Sequence, residues 1–163
     1  MLPVRTQSGL ATDLPAMLAG RISAVQLMFT GCSATCPIQG ALFSQAQSEL
    51  GDRLGGAQFV SLSIDPLSDS PAALAAWLRR FDAKPGWLAA APRIDDVERL
   101  IAWLSQGGEP RPRGNDPHTG QVFIVNQRGE LAHRTTSMPP AADIVAALRG
   151  VAAVPATARL PKS

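Results

Sequence analysis

Charge is scarce in this chain. Only 17% of its 163 residues are Asp, Glu, Lys or Arg, and the formal net charge is +2. Nucleic-acid binding needs a concentrated basic face, and none is present. Arg79, Arg80, Arg111 and Arg113 are scattered, without aromatics between them, and read as solvated surface. No apolar stretch approaches the ~20 residues that span a bilayer. Met1-Leu2-Pro3-Val4 opens without the basic and apolar regions of a secretory leader. There is no internal repeat and no sign of a second domain. Cysteine is rare as well, with two in the whole chain. Two cysteines leave the redox compartment open, because a structural disulfide and a reactive dithiol use the same number.

Hydrophobic residues make up 45% of the chain, enough for it to fold. Its length suits a single domain that buries roughly two-thirds of the unfolded surface. That domain is expected to have a core over about 6–149 and a fraying Ala/Pro-rich tail over 151–163. Residues 6–21 read as a hairpin or loop turning at Gly9, then a short helical piece over 14–18. The run over 22–29, with Val25, Leu27, Met28 and Phe29, predicts a buried strand. A helix follows over 37–54, with Pro37 in its first turn, Leu42, Phe43, Ala46 and Leu50 on one face, and Gly55-Gly56 as its stop. Alternation over 58–64 predicts a strand. Ser70 and Pro71 then cap and start a helix whose Leu74, Trp77, Leu78 and Phe81 share one face. A short strand over 87–91 comes next. It is followed by a helix over 95–106, with Asp95 and Asp96 at its positive end, and a Gly/Pro-rich loop over 107–117. Two strands, 121–126 and 130–136, flank a turn at Gln127-Arg128-Gly129, and a last helix covers 140–148. Strands alternating with helices predict a three-layer α/β domain with a central mixed sheet.

Both cysteines fall in Phe29-Thr30-Gly31-Cys32-Ser33-Ala34-Thr35-Cys36-Pro37, where a strand hands over to a helix. Residues four apart on a helix project from one face, so Cys32 and Cys36 can converge. The N–H dipoles of a helix N-terminus favour thiolate. Two thiolates can cycle with a disulfide, or bind a soft ion such as Cu(I) or a borderline one such as zinc. The three residues between the cysteines give a wider bite than the two of the common oxidoreductase motif. That suits a metal without forbidding a disulfide. A structural disulfide or two buried thiols would use the same residues. A metal site needs a further ligand, and only His118 and His133 are available. His118 lies in a loop feeding a strand, a common place for functional side chains. His133 lies inside a strand pattern and reads as a surface or packing residue.

Three motifs occur in order: Phe29-Thr30-Gly31-Cys32-x-x-x-Cys36-Pro37; Leu62-Ser63-Ile64-Asp65-Pro66-x-x-Asp69-Ser70-Pro71; and Asp116-Pro117-His118-Thr119 with Val122-Phe123-Ile124-Val125-Asn126-x-x-Gly129. Together they resemble the Sco/SenC family over about residues 6–148. The resemblance implies a thioredoxin-like fold with a short N-terminal hairpin. It also implies one copper ion per chain, Cu(I) or Cu(II), held by Cys32, Cys36 and His118. The implied role is that of a metallochaperone for the copper site of cytochrome c oxidase, more plausibly a carrier than an enzyme. The implied partner is the copper-site subunit of a respiratory oxidase or another copper protein. The protein is then expected to be a monomer, periplasmic or extracytoplasmic, tethered by a signal or anchor ahead of Met1. Asp65 and Asp69, in the acidic motif, read as loop and helix-start devices and not as ligands. Many family members carry an acidic residue between the cysteines. Ser33-Ala34-Thr35 stands there in this chain, which should ease ionisation of the thiols.

Two other chemistries compete. A thiol–disulfide oxidoreductase acting on the cysteines of a copper-site partner would use Cys32 and Cys36 as its redox pair. A peroxidase would need a Thr and an Arg beside its activated Cys. Thr30 or Thr35 fits the first requirement, but no Arg fits the second.

Overall fold

The computed structural model describes residues 1–33, 36–52, 56–105 and 120–154. Apolar periodicity and turn chemistry set most of its elements. β1 (Pro3–Thr6) and β2 (Ala11–Asp13) pair antiparallel as the expected hairpin, with Gly9 at φ +84°, and α1 (Leu14–Leu18) follows. β3 (Ser23–Met28) and β4 (Gln58–Ser63) are buried at every position, as strands covered on both faces must be. α2 (Cys36–Leu50) and α3 (Pro71–Arg80) follow these two strands, and β5 is Trp87–Pro92. The Ser70 hydroxyl accepts the N–H of Ala73 at 3.2 Å, so Ser70 caps α3 as expected. A 3-10 turn (Ile94–Asp96) leads into α4 (Val97–Leu104). β6 (Phe123–Val125), β7 (Leu131–Arg134) and α5 (Ala141–Ala152) complete the order.

The seven strands form one sheet in the order β2-β1-β5-β4-β3-β6-β7. β3, β4 and β5 run parallel, while β6 runs antiparallel to β3. One face packs on α2, α3 and α5 through Phe43, Ala46, Leu74, Trp77, Ile144 and Leu148. The other packs on α1 and α4 through Leu14, Leu18, Leu100 and Leu104. The result is the expected three-layer α/β architecture with a mixed sheet. Among the described residues, no helix is long and apolar enough to cross a membrane.

Several boundaries differ from the sequence reading. α2 ends at Leu50 because Gly51 takes a left-handed φ of +52°, ahead of the Gly55-Gly56 pair expected to stop it. The fourth helix starts as a 3-10 turn, in which Asp96 pairs with Arg99 at 2.9 Å. α5 runs on to Ala152, so Val151 and Ala152 belong to a helix and not to a tail. The expected loop over 107–117 and the stretch 155–163 lie outside the described residues.

The parallel pairing of β3 with β4 is what positions the site. Met28 lies opposite Ser63, and the Ile64 N–H donates to the Met28 carbonyl at 2.9 Å. The two strand ends therefore sit side by side, each opening into the start of a helix.

Candidate dithiol and metal centre

Beyond Met28 the chain turns at once. The Cys32 N–H donates to the Phe29 carbonyl at 3.1 Å, closing a tight turn over Phe29-Thr30-Gly31-Cys32. α2 then begins at Cys36, with Pro37 in the first turn, where its missing N–H costs nothing. The backbone N–H of Cys36 donates to the Sγ of Cys32 at 3.4 Å. First-turn N–H groups have no partner within their own helix, and here a sulfur takes one of them. A thiolate accepts such a bond better than a thiol and gains from the positive helix end. The fold thus holds one sulfur where its ionised form is favoured.

The two sulfurs differ in access. Cys36 is fully buried, packed in the core with Met28 and Phe43, while Cys32 is partly exposed. A ligand or a partner thiol therefore meets Cys32 first.

The acidic motif does more than its sequence suggested. Asp69 is 2% exposed. It accepts the Thr30 backbone N–H at 3.1 and 3.3 Å, the Thr30 hydroxyl in a short hydrogen bond, and the Ser63 hydroxyl at 2.6 Å. Ser63 Oγ in turn accepts the Asp65 N–H at 3.0 Å. The tie between Thr30 and Asp69 has no signature in the sequence, because a pairing 39 residues apart leaves no local pattern. Asp65 stays a loop residue: its carbonyl accepts the N–H groups of Ser68 and Asp69.

His133 lies on β7, opposite Ile124 and exposed, in keeping with a surface residue. His118 lies outside the described residues. The described residues fix the direction of the chain that follows it. Val25 pairs with Phe123 and Ser23 with Val125, so β6 runs back along β3 from the end that carries the thiols. Among the described residues, no three Cys, His, Asp or Glu side chains gather as a metal-ligand cluster.

Gly120 anchors this approach. Its carbonyl accepts the Met138 N–H at 2.9 Å and its φ is +64°. A Cβ there would lie 2.7 Å from Ser137 Oγ and 3.1 Å from the Met138 sulfur. Gly120→Ala should therefore cost about 1–3 kcal/mol of stability, the usual price of a strained backbone site. The measurement is the urea midpoint of the variant against the parent, and a parental midpoint would show that this anchor carries no strain.

A family model described as SCO1/SenC matches residues 7–153. No curated protein sequence matches the chain at a significant level. Among solved structures, a SCO1/SenC family lipoprotein from Bacillus anthracis str. Ames is similar at a TM-score of 0.76 and 24% identity, over 92% of each chain. Yeast Sco1 with copper bound is similar at a TM-score of 0.76 and 18% identity, over 96% of this chain and 89% of its own. BsSco, a member of the Sco family of cytochrome c oxidase assembly proteins in which a disulfide switch was identified, aligns at a TM-score of 0.75 and 19% identity, over 94% of this chain and 92% of its own.

Proposed function

The chain belongs to the SCO1/SenC family, and from that premise we propose that it is a copper carrier that helps to build the copper site of cytochrome c oxidase. Copper is its cargo, one ion per chain, held by Cys32, Cys36 and His118. The observation that carries the reading is the Cys36 N–H bond to Cys32 Sγ at the start of α2. It brings both sulfur-bearing residues to one helix end, in surroundings that favour thiolate. Two thiolates and an imidazole form a soft set matched to Cu(I). The direction of β6, whose first residue Phe123 pairs with Val25 so that the chain before it lies toward the thiol end of β3, supports His118 as the third ligand. Copper in yeast Sco1 and the assembly role of BsSco support the cargo and its destination. The lipoprotein relative supports an extracytoplasmic, membrane-tethered setting, in which the partner is a copper-site subunit.

Anaerobic Cu(I) titration tests the site. The parent is expected to saturate at one ion per chain. His118→Ala should bind more than roughly 100-fold more weakly, since even the loss of an outer-shell partner costs a metal site 10–100-fold. A His118→Ala protein that binds like the parent would remove the imidazole from the site.

The unequal burial of the sulfurs favours a second reading, thiol–disulfide exchange on the cysteines of the partner. A partly exposed Cys32 would attack and a buried Cys36 would resolve. Failure to exchange with a glutathione disulfide on a useful timescale would count against that reading alone.

A further inference from the structure

We infer that Asp69 is a positioning residue for the dithiol: its buried carboxylate grips the turn that carries Cys32 and so sets the sulfur against the N-terminus of α2. The inference rests on Cys32 and Cys36 acting as proposed above. It assigns a role to a residue that touches neither sulfur.

The turn Phe29-Thr30-Gly31-Cys32 is closed by a backbone hydrogen bond, Cys32 N–H to Phe29 carbonyl at 3.1 Å. Gly31 adds no side chain to hold it. Thr30 is held from outside, through its N–H and its hydroxyl, and both go to Asp69. Asp69 is itself fixed. Ser63 Oγ at the end of β4 donates to it at 2.6 Å, and its own N–H donates to the Asp65 carbonyl at 3.0 Å. It also directly precedes Ser70, the cap of α3. Among the described residues, no ion pair involves Asp69. Its acceptor capacity is spent on Thr30 and Ser63. The rigid end of β4 therefore clamps the turn beyond the neighbouring β3, two residues before Cys32.

The geometry that depends on this clamp is the 3.4 Å contact between Cys36 N–H and Cys32 Sγ. A looser turn lets the sulfur drift from the helix end, and the thiolate then loses its donor. Two consequences follow. Copper affinity falls, because the ligand is no longer held in place. The dithiol–disulfide equilibrium moves toward the disulfide, because the reduced form loses stabilisation while the disulfide does not.

Three variants test the inference. Asp69→Ala removes every bond to Thr30 and Ser63. Thr30→Val removes only the hydroxyl bond at nearly constant shape, and Thr30→Ser restores it. Asp69→Ala is expected to bind Cu(I) about 10–100-fold more weakly, as for outer-shell partners generally. Its equilibrium with a glutathione redox buffer should move by roughly tenfold toward the disulfide. Thr30→Val should move both readouts the same way by less, and Thr30→Ser should return them to parental values. If Asp69→Ala does not fold, the two Thr30 variants decide. Folded Asp69→Ala or Thr30→Val protein with parental affinity and parental equilibrium would overturn the inference and leave Asp69 a structural staple only. A parent that takes up no Cu(I) would instead defeat the copper reading. The glutathione equilibrium needs no metal and would still decide the role of Asp69.

Discussion

Cys32→Ser and Cys36→Ser are each expected to reduce Cu(I) affinity by more than roughly 100-fold, beyond the 10–100-fold that outer-shell changes cost, yet only the second should also weaken the fold. An alcohol is a hard, neutral donor at ordinary pH and a poor substitute for a thiolate toward a soft ion. The difference in stability comes from burial. Cys36 is fully buried in the core cluster that also holds Met28 and Phe43. A serine there places a hydroxyl in an apolar pocket, which costs about 1–3 kcal/mol if it stays unsatisfied. Cys32 is partly exposed, and a serine oxygen there can still accept the Cys36 N–H. Its apo-protein should unfold at nearly the parental urea concentration. Competition with a chromophoric Cu(I) chelator and urea unfolding of the metal-free proteins read the two effects separately. Parental copper affinity in Cys32→Ser would dismiss the two-sulfur site.

The layers of the fold were legible because apolar spacing and caps are local signals. Leu74, Trp77 and Leu78 do bury one face of α3, and Ser70 does cap it. Gly9 and Gly129 turn the hairpins they were expected to turn. Long-range choices were not legible. Nothing in Val4 or Arg5 announces that β1 would pair with β5. The serines and glutamines of β3 and β4 are buried, and several of their partners lie on strands distant in sequence. Gln26 Nε2 and the Trp87 indole N–H both donate to Ser61 Oγ, at 2.8 and 2.9 Å, and Gln58 Nε2 donates to Ser23 Oγ at 2.9 Å. Such pairs are satisfied only once distant strands meet, so no local pattern identifies the partners. The site divides in the same way. The two cysteines share one local motif, and the Cys36 N–H donates to Cys32 Sγ. Asp69 could not be tied to Thr30 from sequence, since the tie exists only once β4 lies against β3.

The largest stability effect is expected at Phe43, and it links the core to the proposed copper site. Its ring is fully buried on α2, two turns from Cys36, and meets Phe59 and Trp87 edge-on at 5.2 and 5.7 Å. Trp87 meets Trp77 of α3 in turn at 5.8 Å. Phe43→Ala should cost about 3–5 kcal/mol, a large share of the roughly 5–15 kcal/mol that holds a domain of ordinary stability. Phe43→Leu keeps most of the volume and should cost under about 1.5 kcal/mol. Removing the ring unseats α2 and with it the backbone N–H that faces Cys32, so hydrogen exchange along α2 should speed up. On the proposed two-sulfur site, copper binds only where both sulfurs are held together, so it should act against this loss. At a free Cu(I) level a thousand times Kd, binding adds about 4 kcal/mol, enough to bring the Phe43→Ala midpoint close to that of the metal-free parent. Urea unfolding with and without buffered Cu(I) measures this. A midpoint that ignores copper in both proteins would mean that the ion does not bind the folded dithiol. A midpoint that rises in the parent but not in Phe43→Ala would mean that α2, once unseated, no longer presents Cys36 to the metal.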